Sequence, residues 1–283
     1  MHTDLTISND GVDLAMSVCG DATGIPLLFL HGFTMSRDTW NETIASLGDR
    51  FQSWTLDLRG HGHSGRATSY ETADFIADAL AAIDAIGRPV VLVGHSLGAS
   101  IAGSIAQRDN PLVRGAFLED PPWYLGVPEE YERSIFPRLF SVLHELQSNL
   151  RSADAPLRSY AEFLANAPSL AGGKTSDHVS ERHILSHASA LQRLDPQAWD
   201  ALGGILAGLT PDRPILKPCR LIQADPALGP AFLDGHERRL EMSNPAVQVM
   251  RYDGSGHSPH RALAFEARFA QDLNQFIDEL PPG

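Results

Sequence analysis

Cysteine is almost absent from this 283-residue sequence, which has only Cys19 and Cys219. Two cysteines cannot supply the disulfide framework of a small secreted protein, so we expect reduced core residues and a cytoplasmic location, although the sequence leaves a bridge between the two open. The sequence also lacks the ~20-residue apolar run that is needed to cross a bilayer. Its first residues lack the basic and apolar segments of a signal peptide.

Positive charge is scarce as well. The chain has 22 Lys and Arg residues against 35 Asp and Glu, which gives a net charge of −13 at pH 7. Nucleic acids and anionic membranes are bound through basic surfaces, so this balance argues against both and favours a small molecule as the ligand. The sequence does not indicate an oligomeric state. Its 43% hydrophobic and 20% charged residues are typical of a globular chain.

Apolar patterning predicts strands that alternate with helices. Residues 4–9 and 12–18 alternate in polarity around an Asn-Asp-Gly turn, which indicates a hairpin. Further strands are expected at 26–31, 52–58, 90–93, 114–119, 219–224 and 247–252, and helices at 38–47, 71–86 and 259–280. This alternation is typical of an α/β protein with a mostly parallel sheet.

The alternation stops between Pro121 and about Pro214, where only helix-like stretches rich in Leu, Ala and Glu occur. The pattern predicts a helical insert carried on the sheet. We therefore expect a core domain made of residues 1–120 and 215–283, and a helical cap domain made of residues 121–214.

The apolar strand at 90–93 runs directly into residues 94–98, Gly-His-Ser-Leu-Gly, and a run of small residues follows. Gly-x-Ser-x-Gly between a strand and a helix is the pattern of a nucleophile elbow, in which the central serine attacks the substrate. The pattern predicts Ser96 as the nucleophile. The backbone N–H of Leu97, the next residue, is then one expected donor to the oxyanion.

A serine nucleophile needs a base, and His257 is the favoured candidate. It follows the last predicted strand on a glycine turn, and ligands of open α/β sheets bind at the carboxyl ends of the strands. His260 is the weaker candidate because it is expected to lie already in the final helix.

A carboxylate must orient the base, and three of them follow predicted strands between the serine and the histidine. Asp120 and Glu119 end one strand, and Asp225 ends the next. The residue pattern by itself leaves all three open.

Four segments resemble α/β-hydrolases of the lid-bearing esterase, lactonase and epoxide-hydrolase type. They are residues 31–34 (His-Gly-Phe-Thr), 57–64 (Asp-Leu-Arg-Gly-His-Gly-His-Ser), 94–98 and 256–260 (Gly-His-Ser-Pro-His), in the family's order. The resemblance covers nearly the whole chain. It implies a mostly parallel eight-stranded sheet with a helical lid inserted after the sixth strand, and no metal or organic cofactor.

The resemblance also bears on the acid. The family usually has Gly-x-x-Asp after the seventh strand, but here Ala224 and Ala227 occupy the glycine and acid positions. The sequence instead resembles a variant pattern of haloalkane dehalogenases and zearalenone lactonases, in which the acid follows the sixth strand. In the lactonases, a proline stands two residues after that acid. Asp120 fits that variant, so the resemblance favours it over Asp225 and Glu119.

The resemblance implies a second oxyanion donor and a pocket. Gly32 allows the loop after the third strand to turn, and the N–H of Phe33 is the expected donor. Substrate contacts are expected from Gly32, His95, Trp123 and Tyr124, and the apolar residues among them favour an uncharged, hydrophobic substrate.

The expected function is therefore a serine hydrolase that cleaves a carboxylic ester or lactone through an acyl-enzyme. A C–C bond hydrolase, a perhydrolase and an acyltransferase could use the same triad, and a non-enzymatic ligand receptor could use the same fold. His183 and His187 have the spacing of zinc ligands on a helix, but no third ligand completes a metal site in the sequence.

Overall fold

An eight-stranded sheet forms the centre of the protein in the computed structural model, which describes residues 3–209 and 213–281. The strands are β1 (Thr3–Asn9), β2 (Val12–Gly20), β3 (Ile25–Leu30), β4 (Phe51–Leu56), β5 (Val90–His95), β6 (Val113–Glu119), β7 (Cys219–Ala224) and β8 (Gln248–Tyr252). Their order across the sheet is β1-β2-β4-β3-β5-β6-β7-β8. Strands β3 to β8 pair in parallel, whereas β2 is antiparallel to both β1 and β4. The predicted fold class is confirmed.

Local chemistry explains the first hairpin. Asp10 and Gly11 both have positive φ, 49° and 76°, which is the backbone of a two-residue turn that matches the twist of its flanking strands. The continuous apolar runs of β3 and β5 are buried on both faces, as expected for central parallel strands.

Helices cover the sheet. They are α1 (Asn41–Leu47), α2 (Thr72–Ile86), α3 (Leu97–Ala106), α4 (Pro128–Arg133), α5 (Phe136–Ser152), α6 (Leu157–Asn166), α7 (Glu181–Arg193), α8 (Gln197–Asp200), α9 (Leu202–Ala207), α10 (His236–Ser243) and α11 (Glu266–Glu279). Two apolar clusters result. The smaller one joins the sheet to α11, and the larger one extends into the helices that follow β6. None of the described helices is long and apolar enough to cross a membrane.

The segment between β6 and β7 contains α4 to α9 and, over its described residues, no strand longer than an isolated bridge. One bridge joins Pro168 to Lys174, and the other joins Val179 to Ala262, after the last strand of the sheet. The helical insert that the sequence predicts therefore touches the carboxyl end of the sheet.

Two expectations need correction. The final helix does not begin at Pro259; Pro259–Arg261 is a 3-10 turn, and α11 begins at Glu266. The helix at 38–47 likewise begins with a 3-10 turn, Arg37–Trp40. In both places the sequence carries helical apolar spacing, but the chain must first turn tightly to pack beside the sheet.

The two cysteines are free thiols. Cys19 lies on β2 and Cys219 on β7, and four strands separate β2 from β7. At about 4.8 Å per strand, this arrangement is far beyond disulfide reach.

Candidate active site

Ser96 occupies the sharp turn that joins β5 to α3. Its φ and ψ are 52° and −117°, a strained backbone for a residue with a side chain. A Cβ on Gly98 would overlap the Leu30 carbonyl, and a Cβ on Gly94 would overlap the backbone of Gly98. The strand and helix can approach this closely only because both positions are glycine. The turn presents Ser96 at the carboxyl end of the sheet.

His257 lies on the turn after β8, and its Nδ1 is 2.6 Å from Oδ2 of Asp120. Because Nδ1 is bonded to Asp120, Nε2 is the ring nitrogen that is available to accept the proton of a serine hydroxyl. Ser96 and His257 line the same cavity, of about 280 Å³. The described side chains of Ser96 and His257 form no hydrogen bond to each other, and such bonds often form only when substrate is bound.

Backbone donors fix the Asp120 carboxylate. The N–H of Ala231 donates to Oδ2 at 2.7 Å, and the N–H groups of Phe232 and Ala224 donate to Oδ1 at 3.1 and 3.4 Å. Asp120 is fully buried and has a positive φ of 45°. The chain after β7, where the resemblance places the usual acid, here supplies N–H groups to an acid from β6.

Glu119 points to a different histidine. Its Oε2 is 2.6 Å from Nδ1 of His260, and its Oε1 accepts the His260 backbone N–H at 2.7 Å. Burial raises the pKa of Glu119 well above its usual value, and burial lowers the pKa of His260 well below its own. Thr39 Oγ1 contacts the other ring nitrogen of His260 at 2.9 Å. Both groups are therefore already partnered inside the protein.

Asp225 is also engaged elsewhere. It accepts the N–H of Gly254 at 2.7 Å and of Ala227 at 2.9 Å, and these backbone hydrogen bonds lower its pKa. Of the three carboxylates proposed from the sequence, the structure brings Asp120 to His257.

The predicted oxyanion donors lie on either side of the serine. A Cβ on Gly32 would be 3.1 Å from Cβ of Ser96 and 2.6 Å from Nδ1 of His95, so the loop after β3 lies against the elbow. Leu97 is the first residue of α3, where backbone N–H groups have no partner inside the helix. In the described part of the chain, the N–H groups of Phe33 and Leu97 both lack a hydrogen-bond acceptor.

The cavity is mainly apolar. Its apolar lining includes Phe33, Phe136, Leu139, Phe140, Leu143, Phe163, Leu164 and Ile184. The Phe136 ring meets the His257 ring edge-on, with centroids 4.9 Å apart. His95, one of the expected substrate contacts, lines the cavity beside Ser96.

Trp123 and Tyr124 are not brought to this cavity. Trp123 packs against Gly103 of α3 and the ring of Phe232. The Tyr124 ring lies under the guanidinium of Arg239 at 4.0 Å. Their place at the start of the insert suggested pocket walls, but the turn after β6 directs both rings into the protein core instead.

The sequence analysis did not predict that Thr34, His187 and Arg261, three of the polar residues in the wall, would line the cavity. Thr34 Oγ1 is 3.1 Å from Nε2 of His187, and burial lowers the pKa of that histidine to about 3. Arg261 lies in the 3-10 turn four residues after His257. The positive φ of Thr34, 69°, marks a third strained backbone beside those of Ser96 and Asp120. No sequence signal reveals that the insert packs onto this turn.

One group of possible metal ligands lies close together among the described residues: His95, Glu119 and His260, with atoms within 4.8 Å of one another. Glu119 and His260 bind each other, and His95 Nε2 contacts the Ser258 hydroxyl at 3.1 Å. His183 and His187 do not belong to this group.

Comparison with known proteins places the chain in context. Residues 27–271 match the model of the alpha/beta hydrolase family. An uncharacterized protein of Mycobacterium tuberculosis is 28% identical over 291 residues, covering 92% of this chain and 77% of the relative. A 2-(acetamidomethylene)succinate hydrolase of Mesorhizobium japonicum is 34% identical over 109 residues, which is 38% of this chain and 39% of the relative.

Solved structures agree with this fold. A provisionally assigned aryl esterase from Burkholderia cenocepacia is 26% identical, with a TM-score of 0.72 and 98% of each chain covered. An enzyme that degrades N-acyl homoserine lactones shares the fold at 22% identity, with a TM-score of 0.70 over 96% of this chain and all of its own. The family match, the sheet order and the serine elbow agree, and this chain belongs to the alpha/beta hydrolase family of hydrolytic enzymes.

Proposed function

We propose that this enzyme is a serine hydrolase that cleaves a carboxylic ester or lactone through an acyl-enzyme. The observation that carries the proposal is the hydrogen bond from His257 to a buried Asp120, in a cavity that His257 shares with the strained Ser96. The aryl esterase and the lactone-degrading enzyme with the same fold support an ester or lactone as substrate.

In this mechanism His257 takes the proton of Ser96 as the hydroxyl attacks the substrate carbonyl. Asp120 holds the imidazole by Nδ1 and stabilises its protonated form. The N–H groups of Phe33 and Leu97 stabilise the oxyanion, a contribution that is typically worth several kcal/mol. His257 then protonates the leaving alcohol and activates the water that releases the acid.

The insert supplies the binding surface in this proposal. Residues 121–214 act as a lid over the core of residues 1–120 and 215–283. The support is that α5 contributes Phe136, Leu139 and Phe140 to the cavity while Ser96 and His257 come from the core. Their rings and alkyl groups favour a substrate with an apolar acyl chain.

Hydrolysis of p-nitrophenyl esters tests the proposal. We expect a burst of p-nitrophenol stoichiometric with enzyme, followed by steady turnover, and loss of both in Ser96→Ala. A receptor that uses this fold would bind small esters without releasing p-nitrophenol, and that result would contradict the proposal.

A further inference from the structure

A buried arginine forms part of the cavity wall that the proposed mechanism does not use. Arg261 is only 7% exposed and lines the cavity that contains Ser96 and His257. Among the residues that the structure describes around this cavity, it is the single side chain with a permanent charge, and no Asp or Glu lines the wall. A cation in such a wall requires a partner, because burying an unpaired charge is costly.

The described residues of the protein compensate only a small part of this charge. Arg261 donates one hydrogen bond, from Nη2 to the carbonyl of His183 at 3.1 Å, and forms no ion pair with any described carboxylate. Burial lowers its pKa to about 10, so the guanidinium is still charged at neutral pH. Four of the five N–H groups of the guanidinium thus have no hydrogen-bond partner among the described residues and are available to a ligand.

The charged groups around Arg261 do not compensate for it at contact distance. The carboxylate of Glu119 acts on it only through space and is itself occupied by His260 from two directions. The other neighbours are His95, His183, His187 and His260, whose pKa values burial lowers, with a further contribution from the positive charge of Arg261. A histidine side chain is neutral or cationic, so none of them supplies an anion to the guanidinium.

We propose that Arg261 binds a carboxylate of the substrate, so that the enzyme prefers esters or lactones whose acyl part ends in an acid group. This inference rests on the proposed ester or lactone hydrolysis and names the substrate class of the same site. An arginine fork matches a carboxylate with two parallel hydrogen bonds, which gives orientation as well as affinity. The apolar wall then encloses the carbon chain between the two ends, which revises the expectation of an uncharged substrate.

The size of the cavity sets the length of that chain. A sphere of about 280 Å³ is about 8 Å across. An extended six-carbon diacid places its two carboxyl carbons about 6 Å apart and so fits this space. A second cavity of about 340 Å³ shares His257, Ser258 and Arg261 with the first, but Asp177 lies in its wall. The repulsion from Asp177 favours the first cavity for the acid group.

The test compares two substrates that differ in charge and hardly in shape: the p-nitrophenyl half-ester of adipic acid, and the p-nitrophenyl ester of adipic acid monoamide. We expect the wild-type kcat/KM to be at least about tenfold higher for the acid than for the amide. In Arg261→Gln we expect this ratio to fall at least about tenfold. Arg182→Gln, on the solvent face of α7, is the matched control and should retain the wild-type ratio.

The outcomes separate the two proposals. Hydrolysis of the amide substrate with a ratio near one overturns the role of Arg261 and leaves the ester hydrolase standing. Failure to cleave either ester contradicts the proposed function itself. An equal loss on both substrates in Arg261→Gln identifies the arginine as a structural link to α7 and overturns the inference.

A binding measurement covers the case in which Arg261→Gln does not fold. Calorimetry on Ser96→Ala should show the monomethyl ester of adipic acid, which keeps one carboxylate, binding at least about tenfold more tightly than the methyl ester of adipic acid monoamide, which is uncharged. Equal affinities would overturn the inference without any change at Arg261.

Discussion

Different donors surround the carboxylates of Asp120, Glu119 and Asp225, although all three lie at the ends of strands. Glu119 is the last residue of β6, whereas Asp120 begins the turn after it with a positive φ, and their side chains meet different histidines. Glu119 meets His260, and Asp120 meets His257. The sequence limited the candidates for the catalytic acid to these three residues. It could not show which side chain the turn after β6 directs toward the base, because that depends on the positive φ of Asp120.

Replacing the Asp120 carboxylate tests its role. Asp120→Asn removes the charge that stabilises protonated His257 and allows the wrong imidazole tautomer, so kcat should fall by roughly 10³–10⁴-fold while circular dichroism remains that of wild type. Asp225→Asn, whose carboxylate faces Gly254 and Ala227, should change kcat less than about threefold. Near-normal turnover in Asp120→Asn would contradict the assignment.

At the scale of the element, the close contact between β3, β5 and α3 places Ser96 on its turn at the carboxyl end of the sheet. The glycines of the motif predicted this arrangement from sequence, because only residues without a Cβ allow a strand and a helix so close. The start of α11 could not be predicted in the same way. Its apolar spacing continues back through the 3-10 turn, and packing against α7 and β6 fixes where the helix begins.

Gly98→Ala tests the tightness of this contact. The added methyl would overlap the carbonyl of Leu30, and backbone atoms cannot move aside cheaply, so the free energy of unfolding should fall by about 3 kcal/mol. Gly203→Ala in α9 has open space around its Cβ and should hold or gain stability by a few tenths of a kcal/mol. Urea denaturation of the two variants measures both. Equal stabilities would show that α3 can shift away from β3.

Phe140→Ala tests the insert as a lid over the substrate. The Phe140 ring contacts Phe33 and Phe136 and lines the cavity, so its loss should lengthen the preferred acyl chain by about two carbons or more. The measurement is kcat/KM across p-nitrophenyl esters from acetate to decanoate. Leu185→Ala, on an exposed face of α7, is the control. An unchanged chain-length profile in Phe140→Ala would show that α5 does not define the acyl site.

At the scale of the whole molecule, the class of fold was predictable because strand and helix patterns repeat along the chain. Features that depend on distant parts of the chain were not. The separation of Cys19 from Cys219 follows from strand order, and the wall position of Arg261 follows from how the insert folds back on the sheet. Trp123 and Tyr124 illustrate the same point, since their sequence position suggested a pocket and packing took them to the core.

Buried neutral histidines should make global stability depend on pH. Burial lowers the pKa of His61 to about 3 and of His31 to about 4. The unfolded chain binds these protons near pH 6.5 and the folded chain does not, so this stability is complete above pH 6.5 and declines as the pH falls toward the folded values. Between pH 7.5 and 5, each of these histidines lowers the free energy of unfolding by up to about 2 kcal/mol.

His61→Phe isolates one of these groups. The ring lies among His31, Phe33 and Phe75, so a phenyl group fits the site. The difference in unfolding free energy between pH 7.5 and 5 should shrink by about 1–2 kcal/mol in this variant. His178→Asn, outside the core, is the control for losing a histidine. The same pH dependence in His61→Phe and wild type would show that His61 is protonated in the folded protein.

The central claim is that Ser96 carries the acyl group during turnover. Mass spectrometry of enzyme quenched in acid during hydrolysis of p-nitrophenyl acetate tests it most directly. We predict one added acetyl group, located on the peptide that contains Ser96 and absent from Ser96→Ala. An acetyl group on another residue, or full turnover by Ser96→Ala with no adduct, would contradict the claim.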